Sequence, residues 1–263
     1  MKLRWTPALF VLLGSLILAV ITLPVASVIV WQLVIDFKGF LNTLGDPAVL
    51  GAVGVSLLAA FLSVAVAFVL GVPLAYLLAR RDFRGKRLIE GAIDLPVAIP
   101  HTAAGIGLLT VFGTTGLIGS PASSFLRFHA ALPGIVVAML FVSAPFLINS
   151  AKEGFRSVNP RLEKVARSLG ASEWQSFSKV AFPLVLPHIF TGAIMSWARA
   201  VSEFAAVIML VGFFPMIAPG LIWSRWQSGG LMAAMAVAVL LIIVCLAVFI
   251  GLRYLGRKMF AES

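Results

Sequence analysis

Charged side chains are scarce in this 263-residue chain: they make up 11% of it, against about 25% in an average soluble domain. Hydrophobic residues make up 61%, and the mean hydropathy is +1.07. So few charges cannot cover a soluble globule of this size, and the hydropathy is far too high for a disordered chain. The net charge of +10 would suit a nucleic-acid-binding protein only if the chain were soluble. The composition therefore indicates a polytopic membrane protein.

Residues that build catalytic and metal centres are equally scarce. Cys245 is the single cysteine, which excludes a disulfide scaffold and a multi-cysteine metal site. The sequence has no Gly-x-x-x-x-Gly-Lys-Ser/Thr run for nucleotide phosphates and no His-Glu-x-x-His zinc motif. It also has no paired intramembrane aspartates and no evident repeated halves, which argues against a membrane enzyme and a secondary transporter. We therefore expect no catalytic residue, metal or cofactor site in this chain.

Long runs without charges predict six transmembrane helices, since about 20 apolar residues are needed to cross a bilayer. The predicted spans are 8–31, 50–78, 89–112, 134–150, 187–211 and 232–255. The fifth is taken as one helix with Arg199 and Glu203 inside it. Because the first run follows Lys2 and Arg4, a signal peptide is the alternative, but its apolar stretch exceeds the ~7–15 residues of a signal sequence. We divide the chain into an N-terminal helix and external loop (1–49), a core (50–255) and a tail (256–263).

The basic residues give the orientation, because Lys and Arg concentrate in cytoplasmic loops. Sixteen of the 20 lie at the two termini and in the second-to-third and fourth-to-fifth connections, whereas Lys38, Arg127 and Arg225 lie on the other side. This predicts that both termini are cytoplasmic. The external loops 114–132 and 212–230 are predicted to be irregular, with Trp223 and Trp226 as interfacial anchors or as part of a docking surface for an external partner.

The connection at 159–183, called the coupling segment below, carries the strongest local signals. Asn159 is a suitable cap for a first helix, and Gly170 is a natural stop. Ser172 and Gln175 form a capping box for a second helix. Pro183 and Pro187 are predicted to end the segment and return the chain to the membrane.

The first of these helices has an apolar stripe at i, i+3, i+4 and i+7, formed by Leu162, Val165, Ala166 and Leu169. The second has Trp174, Phe177 and Val180 on one side. Two interpretations remain open from the residues alone. The helices either lie on lipid headgroups or insert into a groove of a partner protein.

The coupling segment resembles the cytoplasmic signature of permease subunits of ATP-binding-cassette importers, which reads Glu-Ala-Ala, three residues, Gly, nine residues, Ile-x-Leu-Pro. Gly170 matches the glycine, Ala166 the second alanine, and the run Val180-Ala181-Phe182-Pro183 the tail. Lys164 and Val165 depart from the Glu-Ala start, and Glu163 stands one place early.

Four further runs resemble molybdate/tungstate permeases, particularly archaeal ones, so that the likeness extends over nearly the whole chain. They begin at Asp94-Leu-Pro-Val-Ala-Ile-Pro-His, Leu132-Pro-Gly-Ile-Val, Ile194-Met-Ser-Trp-Ala-Arg and Pro215-Met-Ile-Ala-Pro. The resemblance implies an all-α type I importer permease in a prokaryotic plasma membrane that translocates molybdate, tungstate or both by alternating access. Permeases for sulfate, phosphate or iron have the same architecture and are the alternative.

The resemblance also implies partners. These are a second copy of the chain, two cytoplasmic subunits that hold ATP and Mg, and an external oxyanion-binding protein. The residues expected to contact the ATPase are Glu163, Ala166, Arg167, Leu169, Gly170, Ala171 and Trp174.

Polar residues inside the predicted spans are candidates for the path or gate, because intramembrane charges are costly and often functional. Arg199 and Glu203 are four apart and can pair, either as a structural ion pair or as a gate that changes partners. The third span contributes Asp94, Pro100, His101 and Thr102, and the fifth adds the hydroxyls of Ser196 and Ser202. Proline in the third span permits a kink, and the kinked helix either lines a path or only packs against its neighbours. His101 is more readily a packed or hydrogen-bonded histidine than a ligand.

Overall fold

The computed structural model describes the backbone of residues 5–260 and the side chains from residue 9 onward, and that part of the chain is helical without strands. Lys2, Arg4 and the last three residues of the predicted tail lie outside the described residues. The helices are α1 (Trp5–Ile35), α2 (Phe37–Leu44), α3 (Pro47–Arg80), α4 (Lys86–Ala98), α5 (His101–Phe112), α6 (Gly119–Ala122), α7 (Leu132–Ser157), α8 (Arg161–Ser168), α9 (Glu173–Ser176), α10 (Phe182–Val201), α11 (Ala205–Val211) and α12 (Ala218–Phe260).

The prediction of a polytopic helical membrane protein is confirmed. Within the described residues, five helical stretches are individually long and apolar enough to cross a bilayer: Leu9–Ile35, Pro47–Arg80, Leu132–Ser157, Glu173–Val201 and Ala218–Phe260. The α4–α5 pair, counted as one broken span, supplies the sixth.

The third span is not a single kinked helix. It is bent by 116° between α4 and α5. Ile99 is extended (ψ 149°), as expected for a residue that precedes proline, and Pro100 forms the entry to α5. The break therefore places His101 at the start of a new helix.

The fifth span also differs from its prediction. It begins earlier, because neither Pro183 nor Pro187 ends the helix that starts at Glu173. A π-helical turn, Phe177–Ala181, precedes Pro183, and such local adjustments let membrane helices keep their prolines. The prediction of one helix through Arg199 and Glu203 is wrong, because α10 ends at Val201 and α11 begins only at Ala205.

The predicted irregular loop at 212–230 is largely helical. Its second half forms the start of α12, which breaks at Gly230, where φ is +75°. Trp223 and Trp226 therefore lie on a helix with ring centroids 5.2 Å apart, and Arg225 pairs with Asp46 at 2.5 Å. This pair fixes the beginning of α3 against α12.

The core is formed mainly by α3, α7 and α10, which approach closely at small residues. A methyl group on Gly192 of α10 would lie 2.6 Å from Ser150 Cβ and 3.1 Å from Leu147 Cα of α7. In contrast, α1 packs against α2 and α12 and leaves large apolar side chains exposed, such as Phe10 at 70%. Apolar exposure of this extent indicates a hydrocarbon environment rather than water.

We expect Gly192→Ala to destabilise the protein by about 1–3 kcal/mol, because the added methyl group overpacks the α7–α10 contact. Gly54→Ala in α3 is the matched control, since no atom lies within 4 Å of the position of its added methyl group. Thermal unfolding in detergent measures both variants. Equal melting temperatures would contradict the close α7–α10 contact.

Candidate functional site

The coupling segment folds as its local sequence predicts. Asn159 Oδ1 accepts a hydrogen bond from the Arg161 N–H at 2.9 Å, which caps α8. Gly170 ends this helical stretch with φ +94°, a conformation that favours glycine. The capping box is present, with Ser172 Oγ accepting from Gln175 N at 3.1 Å and Gln175 Oε1 accepting from Ser172 N at 2.9 Å.

The apolar side chains of the coupling segment point away from the rest of the chain. Leu162, Val165, Trp174 and Leu169 are 48%, 56%, 71% and 83% exposed. Arg167 is exposed beside them, whereas Ala166 and Ala171 are half-buried. This arrangement leaves an apolar ridge exposed, as both sequence interpretations require.

Glu163, in contrast, points inward. It is buried, its Oε1 pairs with Arg80 Nε at 2.7 Å, and its Oε2 accepts a hydrogen bond from the Tyr76 hydroxyl at 2.5 Å. Arg80 Nη1 also donates to the Phe155 carbonyl at 2.6 Å. Glu163 therefore ties the coupling segment to the ends of α3 and α7, and its carboxylate is not presented to the exterior.

Arg80 and Tyr76 were not identified from the sequence. The available signal was that Glu163 lies on the helix outside the apolar stripe, where a polar partner within the chain can reach it. A second ion-pair set links the coupling segment to the end of α3 at the surface. Glu173 pairs with Arg167 at 3.2 Å and with Arg81 at 3.7 Å, and all three side chains are more than half exposed.

A second cluster joins the two broken spans. Glu203 Oε2 accepts a hydrogen bond from Arg199 Nη2 at 2.6 Å and lies 2.9 Å from His101 Nδ1. Glu203 Oε1 accepts from the Ala206 N–H at 2.9 Å and so satisfies the start of α11. Glu203 is 1% exposed, although it sits in a break between two helices. The predicted Arg199–Glu203 pair is therefore present, with His101 as a third member.

Close packing holds α5 beside α11 at this cluster. A methyl group on Gly105 would lie 2.5 Å from Met209 Cβ and 3.0 Å from Ala206 Cα. The first turn of α5 thus faces the first turn of α11, and the cluster stands where both helices begin. Helix N-termini carry partial positive charge, so a carboxylate at this point is electrostatically favourable.

The other candidate path residues divide between the cluster and separate positions. Ser202 is exposed, donates to the Arg199 carbonyl at 3.0 Å and accepts from Arg199 Nη1 at 3.3 Å. Thr102 is exposed next to His101. Ser196 is fully buried, and its Oγ has no hydrogen-bond partner among the described residues. Ser196 therefore lies in the helix packing and not on an open surface.

Asp94 belongs to a different polar contact, between α4 and α7. Its Oδ1 accepts from Asn149 Nδ2 at 2.7 Å. One turn earlier, Glu90 pairs with Lys152 at 3.3 Å and with Arg156 at 2.9 Å. We name Glu90, Asp94, Asn149, Lys152 and Arg156 the α4–α7 seam. Sequence reasoning missed this seam, although its residues recur at helical spacing on both helices.

Comparison with known proteins gives consistent findings. Residues 71–261 match the family model described as binding-protein-dependent transport system inner membrane component. The chain is 42% identical over 98% of its length, and 99% of the relative's, to a molybdate/tungstate transport system permease protein of Thermococcus kodakarensis. A relative of the same description from Pyrococcus abyssi is 42% identical, with 97% of both chains covered.

A probable sulfate transport system permease protein of Chlorokybus atmophyticus is less similar, with 32% identity over 83% of this chain and 78% of the relative. Among solved structures, a bacterial ABC transporter involved in alginate import aligns with a TM-score of 0.76 at 18% identity. That alignment covers 98% of this chain and 97% of the other. At this identity the structural match supports the fold alone.

We expect Glu163→Gln to loosen the coupling segment, because it leaves the buried Arg80 guanidinium without its counterion, a change that costs about 3–5 kcal/mol. Amide hydrogen exchange over residues 161–176 should rise, while exchange over 101–112 stays unchanged. Glu173→Gln is the control, since its exposed ion pairs are worth about 0–1 kcal/mol. Equal exchange in the two variants would show that the buried pair does not anchor the segment.

Proposed function

The chain belongs to the family of binding-protein-dependent transport system inner membrane components, and we propose that it is the permease subunit of an ATP-driven importer of molybdate and tungstate. The proposed substrate rests on the 42% identity, over nearly the full length of both chains, to relatives described as molybdate/tungstate permeases. The lower identity and coverage of the sulfate relative make sulfate the second candidate.

The proposed assembly contains two copies of this chain, two ATP-binding subunits and an external binding protein that delivers the oxyanion. The sequence has no phosphate-binding loop, so ATP and Mg are assigned to the partner subunits. The exposed ridge of Leu162, Val165, Leu169 and Trp174 is the surface proposed to enter a groove of the ATPase. The excess of basic residues on this side supports its assignment to the cytoplasm, with both termini.

The buried contacts suggest how movement of the ATPase reaches the membrane helices. Glu163 and Arg80 connect the coupling segment to α3, so displacement of the segment pulls on a long spanning helix. The second helix of the segment continues without interruption into α10, because Glu173–Val201 is one helical stretch, and Ser176 Oγ on it donates to the Glu163 carbonyl at 3.2 Å. The end of that stretch, Val201, is two residues before Glu203. A rigid connection therefore runs from the proposed ATPase contact to the cluster at the two helix breaks.

At that cluster we assign Glu203 the role of holding Arg199 and His101 in this conformation. Arg199 is 22% exposed at its side chain, and Ser202 and Thr102 are exposed beside the cluster. These groups offer hydrogen-bond donors to a passing oxyanion, while Glu203 neutralises the guanidinium and prevents tight binding. Weak contact favours transport, because an ion that is bound tightly in the path is released slowly.

We expect the chain, reconstituted in proteoliposomes with its ATPase and binding protein, to take up labelled molybdate and tungstate only when ATP is present. Sulfate at the same concentration should be taken up at least tenfold more slowly. Uptake of sulfate but of neither metal oxyanion would assign the chain to the second candidate. Uptake without ATP would exclude an ATP-driven importer.

We expect Glu203→Gln to reduce uptake at least tenfold and to leave ATP hydrolysis within twofold of the unchanged protein, because the change removes the counterion of Arg199 far from the ATPase contact. Asp82→Asn is the control, since Asp82 is almost fully exposed in its pair with Lys86. Thermal unfolding checks that both variants fold. Normal uptake by Glu203→Gln, or an equal loss of ATP hydrolysis, would contradict the role assigned to this carboxylate.

A further inference from the structure

A cleft of about 380 Å³ lies between α10 and the last third of α12, away from the cluster at the helix breaks. Its apolar wall includes Phe190, Ile194 and Met195 of α10 and Phe249 of α12, and Met195 is half-exposed to the exterior. Phe190 of α10 packs closely against Gly256 of α12 in the lining of the cleft. A methyl group on Gly256 would lie 2.5 Å from Phe190 Cε1.

Two arginines border this apolar cleft. Arg253 and Arg257 are one helical turn apart and therefore lie on the same face of α12. Arg253 stands over the Phe249 ring at 5.0 Å, but among the residues that the structure describes neither guanidinium forms a salt bridge or a hydrogen bond. Several other arginines on this side of the molecule are paired, as Arg80 is with Glu163 and Arg156 with Glu90. Within the described residues, the cleft thus presents two positive charges without an acidic partner.

The position of the cleft indicates which class of anion it is suited to bind. It lies on the same side of the molecule as the coupling segment, since that segment leads directly into α10, and it stands at the end of the last membrane span. Basic pockets between transmembrane helices at this level are suited to phospholipid headgroups. A small hydrated oxyanion gains nothing from the apolar wall, whereas a phospholipid places its phosphate at the arginines and its chains along that wall.

We propose that this cleft binds one anionic phospholipid per chain, with its phosphate at Arg253 and Arg257 and its acyl chains along Ile194 and Met195. The bound lipid bridges α10 and α12 and stabilises their contact. This site is separate from the path of the transported ion and does not depend on which ion is transported.

The test uses the purified permease complex in detergent, incubated with equal amounts of phosphatidylglycerol and phosphatidylcholine of identical acyl chains. Native mass spectrometry should show one retained phosphatidylglycerol per copy of this chain, preferred at least fivefold over phosphatidylcholine. The double variant Arg253→Gln/Arg257→Gln should lose this preference. Arg84→Gln/Lys258→Gln removes the same net charge at exposed positions outside the cleft and should retain it.

Three results would overturn the proposal. Equal retention of both lipids by the unchanged protein would show an apolar slot without headgroup selection. Displacement of phosphatidylglycerol by millimolar inorganic phosphate or tungstate would show a site for free anions. Absence of retained lipid, together with dissociation of the two copies in Arg253→Gln/Arg257→Gln, would show that the second copy fills the cleft. The first two measurements need only the unchanged protein, so they hold even if a variant fails to fold.

Discussion

A helix that crosses hydrocarbon must satisfy its own backbone hydrogen bonds, and an interruption leaves N–H groups that no water can reach. In the described part of the chain, the interruptions at 99–100 and 202–204 lie beside each other. Glu203 makes the arrangement stable, because one carboxylate oxygen accepts from the first turn of α11 while the other holds Arg199 beside His101. Burial of the Glu203 carboxylate is costly, but the broken helices need it to satisfy their polar groups.

The same constraint explains why a paired carboxylate is kept at this position. A buried ion pair contributes little stability compared with apolar packing, but the loss of one partner is strongly destabilising. Glu203 therefore stabilises one conformation of the two breaks as long as it contacts Arg199, His101 and the Ala206 N–H. Glu163 acts similarly at the coupling segment, where Arg80 and Tyr76 surround its carboxylate. The continuous helix from Glu173 to Val201 runs from the second helix of the coupling segment to the break that holds Glu203.

Most local features could be predicted from the sequence. The Asn159 cap, the Gly170 stop and the Ser172–Gln175 capping box follow from side-chain chemistry within a few residues and are present as predicted. The Arg199–Glu203 pair follows from a spacing of four. The prediction that Pro183 and Pro187 end the helix is wrong. A π-helical turn before Pro183 lets the helix accommodate the proline, and such a turn has no simple sequence signal.

The sequence by itself determined that the chain lies in a membrane, how many spans it has, where the two short coupling helices lie and which family it belongs to, because run length, charge spacing and capping are properties of neighbouring residues. Only the tertiary structure decided which polar groups meet. His101 and Glu203 are 102 positions apart, and Tyr76 and Glu163 are 87 apart. It also turned Glu163 inward and placed Arg253 and Arg257, which have no salt-bridge partner among the described residues, beside an apolar cleft. Such contacts depend on how helices break and pack against one another, and this is set by the whole chain at once.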